Sequence, residues 1–86
     1  MALGKVVTVA ATPTLVSNNV GAFFVRNPGT AGNFIYLGGS TVAASGGSQG
    51  YPLDGGQSLS ITSTSGADLW GIVTSGTLPL NVLEVD

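Results

Sequence analysis

The side chains that do most chemistry at neutral pH are nearly absent from this chain. Six residues are charged (Lys5, Arg26, Asp54, Asp68, Glu84 and Asp86), and there is no His and no Cys. Four carboxylates are the raw material of acid–base catalysis or of a hard-cation site, but their spacing sets up neither. Asp54 sits in the turn Asp54-Gly55-Gly56, Asp68 opens a strand-like run, and Glu84 and Asp86 fall at the end. No two have the spacing of a catalytic pair, and no twelve-residue calcium loop is present. Each is expected to bond local backbone amides or to face solvent. Nine Ser and nine Thr offer hydroxyl nucleophiles, yet with no His and one Lys there is no base to activate them. The runs Gly38-Gly39-Ser40-Thr41 and Gly46-Gly47-Ser48-Gln49-Gly50 lack the Lys-Ser/Thr and the following helix of a phosphate loop. Without His or Cys a structural zinc site is implausible. The chain is therefore expected not to be an enzyme, and to use no cofactor, no metal and no small-molecule substrate.

The same scarcity bounds the partners. A typical soluble domain is about 25% charged; this chain is 7% charged, with a net charge of −2. Two cations leave no electrostatic footprint for a phosphate backbone, so nucleic acid is excluded. A basic amphipathic helix and an apolar run of membrane-spanning length are also missing. The opening residues show no apolar stretch behind a basic one, so synthesis in a cytoplasm without export is expected. Length allows one domain over residues 1–86, and 43% apolar residues suffice for one core. Disulfides are unavailable, so self-association is the remaining common staple for so small a fold.

Helix formers are rare, whereas Val and Thr contribute nineteen residues and Gly fourteen. Strand-like runs recur at residues 5–11, 14–17, 20–26, 33–37, 41–44, 57–62, 67–73 and 78–85, and Tyr51-Pro52-Leu53 leads into the Asp54 turn. Turns every 8–12 residues or so separate them. The fold class is all-β: a small antiparallel β-sandwich, jelly-roll or Ig-like, of seven or eight short strands. Several runs place large apolar groups on both faces, notably Phe23-Phe24 and Phe34-Ile35-Tyr36-Leu37. The last run changes phase between Val82 and Leu83, which calls for a β-bulge there or for a strand covered on both sides. Edge strands of soluble β proteins are usually guarded by Lys, other charges or Pro, and this chain has one Lys. Outer apolar groups and unguarded edges belong to surfaces that another subunit covers. Trp70 is read as the aromatic anchor of the core, with an interface role as the alternative, and Phe24, Tyr36 and Tyr51 divide in the same way.

The segment Ile35-Tyr-Leu-Gly-Gly-Ser-Thr-Val42, then Gly50-Tyr-Pro-Leu-Asp-Gly-Gly-Gln-Ser-Leu-Ser-Ile61, resembles small structural proteins of tailed bacteriophages. Asp68-Leu-Trp-Gly-Ile72, Ser75-Gly76-Thr77 and Val82-Leu83-Glu84 continue the likeness, which covers roughly residues 34–84. The resemblance implies a head-decoration, or minor capsid, module: a virion protein that sits outside the capsid as a homotrimer and cements the major capsid protein at capsomer junctions. It also implies an N-terminal arm, residues 1–5, with Ala2, Leu3 and Lys5 at the capsid contact; Phe24 and Trp70 complete the expected interface. The alternative is a tail-fibre or head-fibre module that binds a host receptor or glycan, with Trp70, Tyr36 and Tyr51 as its platform.

Overall fold

The computed structural model describes residues 2–18, 21–63 and 68–85. Eight strands form two four-stranded sheets, and every strand pairing is antiparallel. The strands are β1 (Ala2–Ala10), β2 (Thr14–Ser17), β3 (Gly21–Arg26), β4 (Ile35–Gly38), β5 (Tyr51–Leu53), β6 (Ser58–Ser63), β7 (Leu69–Ile72) and β8 (Thr77–Val85). The first sheet runs β1-β8-β3-β6 and the second β2-β7-β4-β5.

The pairing is nested. The first strand pairs with the last, the second with the seventh, the third with the sixth and the fourth with the fifth. One long hairpin has in effect been rolled up, and β3–β8 and β4–β7 contacts seal the roll. This is the double Greek key of a jelly roll, and it removes the Ig-like alternative.

Alternation along the strands explains the core. In the first sheet, Val7 and Val9 of β1, Leu78, Leu80 and Val82 of β8, Phe23 and Val25 of β3, and Leu59 and Ile61 of β6 share the inner face. Val16, Ile35, Leu37, Leu53 and Val73 complete the core from the other side. Gly71 also faces the core, where a Cβ would come to 3.3 Å from Val16 and to ordinary contact distance, 3.5 Å, from Leu37 and Val9.

One end of the roll is closed by Asn27, which is fully buried. Its Nδ2 donates to Asn33 O at 2.7 Å and to Leu53 O at 2.9 Å, while its Oδ1 accepts from Gly29 N. Its backbone is bonded in both directions, to Gln57 O and from Gly56 N. Asp54 acts as the turn residue the sequence suggests: its Oδ1 accepts from Gly55 N and from Gly32 N, each at 2.8 Å.

Four features depart from the sequence reading. Residues 41–44 are not a strand; they make one parallel bridge, Ala43 to Gln49, within a looped segment held by short backbone bonds. The Gly and Ser on both sides favour turns over ladder pairing. Residues 2–5 continue β1, paired to residues 82–85, so Ala2 to Lys5 belong to the sheet and not to a detached arm; Met1 lies outside the described residues. The phase change at Val82-Leu83 is not a bulge, for the β8 register is continuous with both β1 and β3. A register shift occurs instead in β2, between Leu15 and Ser17. It turns Val16 and Ser17 both inward, and both are buried.

Pro79 is unusual in a central strand, since it has no N–H for the ladder. It lies opposite Thr8 of β1, beyond the stretch of β8 that β3 pairs with, which is 81–85. At that position β8 has one strand neighbour.

Candidate docking surface

The sandwich has two outer faces, and they differ in how they are finished. On the second sheet, Leu15, Tyr36, Trp70 and Ile72 project outward, as register and alternation place them opposite the core-facing Gly71 and Leu37. Trp70 is half-buried there and is not part of the core, so its role as core anchor is corrected. The core is aliphatic apart from Phe23. Trp70 stands next to Gly71, which lies opposite the core residue Leu37, and strand alternation sends the indole to the other side.

The chain covers part of this face itself. The segment 39–50 folds back so that Val42 becomes buried. A Cγ of Val42 lies 3.1 Å from where Gly38 would carry a Cβ, and 2.5 Å from that of Gly50. Both glycines are therefore the seat of this loop: Gly50 has no room for a Cβ, and one on Gly38 would displace Val42. Phe34 stacks on Tyr36 with ring centroids 6.1 Å apart and planes inclined at 26°. A hollow of about 330 Å³ remains between the loop and the strand ends, lined by Thr41, Ser48, Gln49 and Tyr51 among others.

The first sheet is left open. Phe24 and Leu83 are directly opposed on β3 and β8, and Leu83 is opposed in turn by Gly4 on β1. Gly4 offers no side chain, and a Cβ there would meet nothing within 4 Å. Phe24 is 44% exposed, Leu83 41% and nearby Val6 64%. Each has an inward-facing neighbour in sequence, Phe23, Val82 or Val7, so these strands are two-faced, as the sequence suggests. Beside Phe24 and Leu83 a shallow hollow of about 310 Å³ is rimmed by Arg26, Ser58 and Asn81. The result is an apolar centre with a polar rim and one cation, the usual anatomy of a protein contact.

The expected interface residues are not brought together. Phe24 lies at the centre of the open face, whereas Trp70 lies on the opposite side of the sandwich. Leu3 is 56% exposed, but it shares strand parity with the inner residues of β1 and lies beyond the core. Lys5 also points inward, its Nζ 3.3 Å from Glu84 Oε2. The Ala2 side chain lies outside the described residues, as do Asp86 and Ala67. Val6 and Leu15 are surface residues that the sequence reading does not single out. The adjacent apolar pairs Val6-Val7 and Leu15-Val16 are the signal that marks them, the same signal that marks Phe23-Phe24.

Among the described residues, no group of three or more Asp and Glu is placed to hold a metal ion, and no helix is long and apolar enough to cross a membrane. Compared with protein-family models, with curated proteins and with solved structures, the chain has no match.

Proposed function

We propose that this chain is a virion structural protein of a tailed phage, a decoration module that binds the outside of the head and stabilises capsomer junctions. The observation that carries the reading is the open face of the first sheet, where Phe24 and Leu83 are exposed opposite each other and Val6 is exposed on the same face. The opposite face is partly closed by the chain's own Val42 loop. Such a protein works by burial. At about 25 cal/mol per Å² of apolar surface covered, separating two capsomers bridged by one copy re-exposes that surface and costs the corresponding free energy. The major capsid protein is the partner, Arg26 at the rim is the group that meets an acidic neighbour, and self-association, trimeric by the phage resemblance, multiplies the contact.

The test is binding to heads that lack the protein. Wild-type chain should co-sediment with them, and density for it should appear on the outer shell by cryo-microscopy. Phe24→Ser combined with Leu83→Ser should weaken binding at least ~10-fold, the equivalent of about 1.4 kcal/mol. Undiminished binding by that folded variant, or density only on the tail, overturns the reading.

The alternative, a fibre module that binds a host glycan, is favoured by one observation: the hollow beside Tyr51, lined by Thr41, Ser48 and Gln49. It combines an exposed aromatic with hydroxyl and amide groups, the mixture that orients a sugar. Glycan-array binding that disappears in Tyr51→Ala would establish it, and a blank array would remove it.

A further inference from the structure

The two sheets present four edge strands, β1, β6, β2 and β5. Three carry features that disfavour pairing with another chain. Pro52 occupies the middle of β5. β2 is four residues long and bulged. β1 carries Lys5, and its end is tied into the second sheet by Val73 N to Ala10 O at 3.1 Å and by Ala10 N to Thr14 Oγ1 at 3.2 Å. β6 is the exception. Ser58-Leu-Ser-Ile-Thr-Ser63 has no charge and no Pro, and its pairing with β3 is regular along all six residues.

The geometry points to β6 as a self-pairing edge, whose occupant is β6 of a second copy of this chain, antiparallel and with Ser60 opposite Ser60. The register follows from the faces. Leu59 and Ile61 face the core and are only partly buried, while Ser58, Ser60 and Thr62 face outward and are exposed. Two copies keep a common inner face only if residues of like parity are opposed. With Ser60 on the two-fold, Leu59 meets Ile61 twice and Ser58 meets Thr62 twice, so apolar lies on apolar and polar on polar. Shifting by one allowed step sets Leu59 against Ser63, or Ile61 against Gln57. Only the Ser60-centred register leaves no mismatch.

The axis of this pair runs normal to the sheet, so the contact is isologous and builds one continuous eight-stranded sheet. Both open faces then point the same way and make a single surface twice as wide. Its use against a capsid rests on the reading above, but the pairing itself does not. It is a two-fold contact in place of the three-fold one that the phage resemblance implies.

The chain contains no cysteine, which makes the test direct. Opposed residues of an antiparallel pair have Cα atoms about 4.5 or 5.5 Å apart, within the roughly 4.4–6.8 Å that a disulfide spans. Under mild oxidation Ser60→Cys should form a covalent dimer at least ~10-fold faster than Ser58→Cys, because linkage within a preformed pair has a high effective concentration. Ser58 is exposed as well, but in this register it faces position 62. Wild-type protein should have the mass of a dimer by light scattering, and Ser60→Lys, which sets two like charges on the axis, should have that of a monomer. Equal cross-linking of the two cysteine variants, or a wild-type monomer or trimer, overturns the proposal. Because none of these measurements uses heads or glycans, its failure is distinct from failure of the capsid reading.

Discussion

Ser17 Oγ donates a 2.7 Å hydrogen bond to Glu84 Oε2 and so links the two sheets, from β2 of one to β8 of the other. Lys5 Nζ approaches the same oxygen at 3.3 Å from β1. The two partners are unequal. Ser17 is buried, whereas the Lys5 side chain is 36% exposed against 13% for Glu84, and water screens an ion pair of that kind. Ser17→Ala should therefore destabilise by about 1.5–3 kcal/mol, the range for hydrogen bonds to charged groups, and Lys5→Ala by at most ~1 kcal/mol. Urea unfolding of both variants checks the order, and a larger loss from Lys5→Ala would refute it.

Asn27 gives a second prediction. Asn27→Ala strips donors from the buried Leu53 O and the part-buried Asn33 O, and the acceptor from Gly29 N. An orphaned buried group costs about 1–3 kcal/mol and the part-buried ones less, so the expected loss is at least ~2 kcal/mol. Asn27→Asp should be worse still, because it directs a carboxylate oxygen at those carbonyls. Denaturation midpoints near wild type for either variant would contradict the role of Asn27 as an end plug.

The glycines divide sharply. A Cβ on Gly55 would collide with the Thr30 carbonyl and with Gly29 C, whereas one on Gly47 meets nothing within 4 Å. Gly55→Ala should cost more than ~2 kcal/mol, in the class of substitutions that force backbone to move. Gly47→Ala should be neutral or stabilise by up to ~1 kcal/mol through the unfolded chain. Thermal unfolding of the pair suffices; similar melting temperatures would refute the contrast.

Trp70 reports on the second sheet. As a half-buried residue outside the core, it should be quenched by acrylamide in the native state, and Trp70→Ala should cost well under the ~3–5 kcal/mol of a buried Trp. Phe23→Ala, in the core, should reach that range. A native Trp70 protected from the quencher would show the face to be covered.

Much of the architecture is legible in the residues, and what escapes has identifiable causes. The alternation Leu59/Ile61 against Ser58/Ser60 fixes β6, and the double apolar pairs announce two-faced strands. Val42 misleads, because its apolar character reads as strand when its burial comes from sitting over two glycines. Ser17 is invisible as an inward residue, because only the β2 bulge turns it in. Trp70 follows size, which suggests a core, when Gly71 beside it decides which way it points. Of the expected interface, Phe24 is on the open face and Lys5 faces Glu84, and that difference depends on strand parity, which is readable only once the strand ends are known. The phase of Leu83 marks it in the sequence, but only the register of β1 and β8 chooses between bulge and exposure.

The nested pairing has a consequence for synthesis. β8 is the last strand of the eight to leave the ribosome, yet it lies between β1 and β3 and pairs with β1 along nine residues, Thr77–Val85. Until it emerges, β1 has no partner in its sheet, and the first strand made must wait for the last. Native closure is therefore a single late event across the greatest sequence separation in the chain, the kind of contact that makes folding slow.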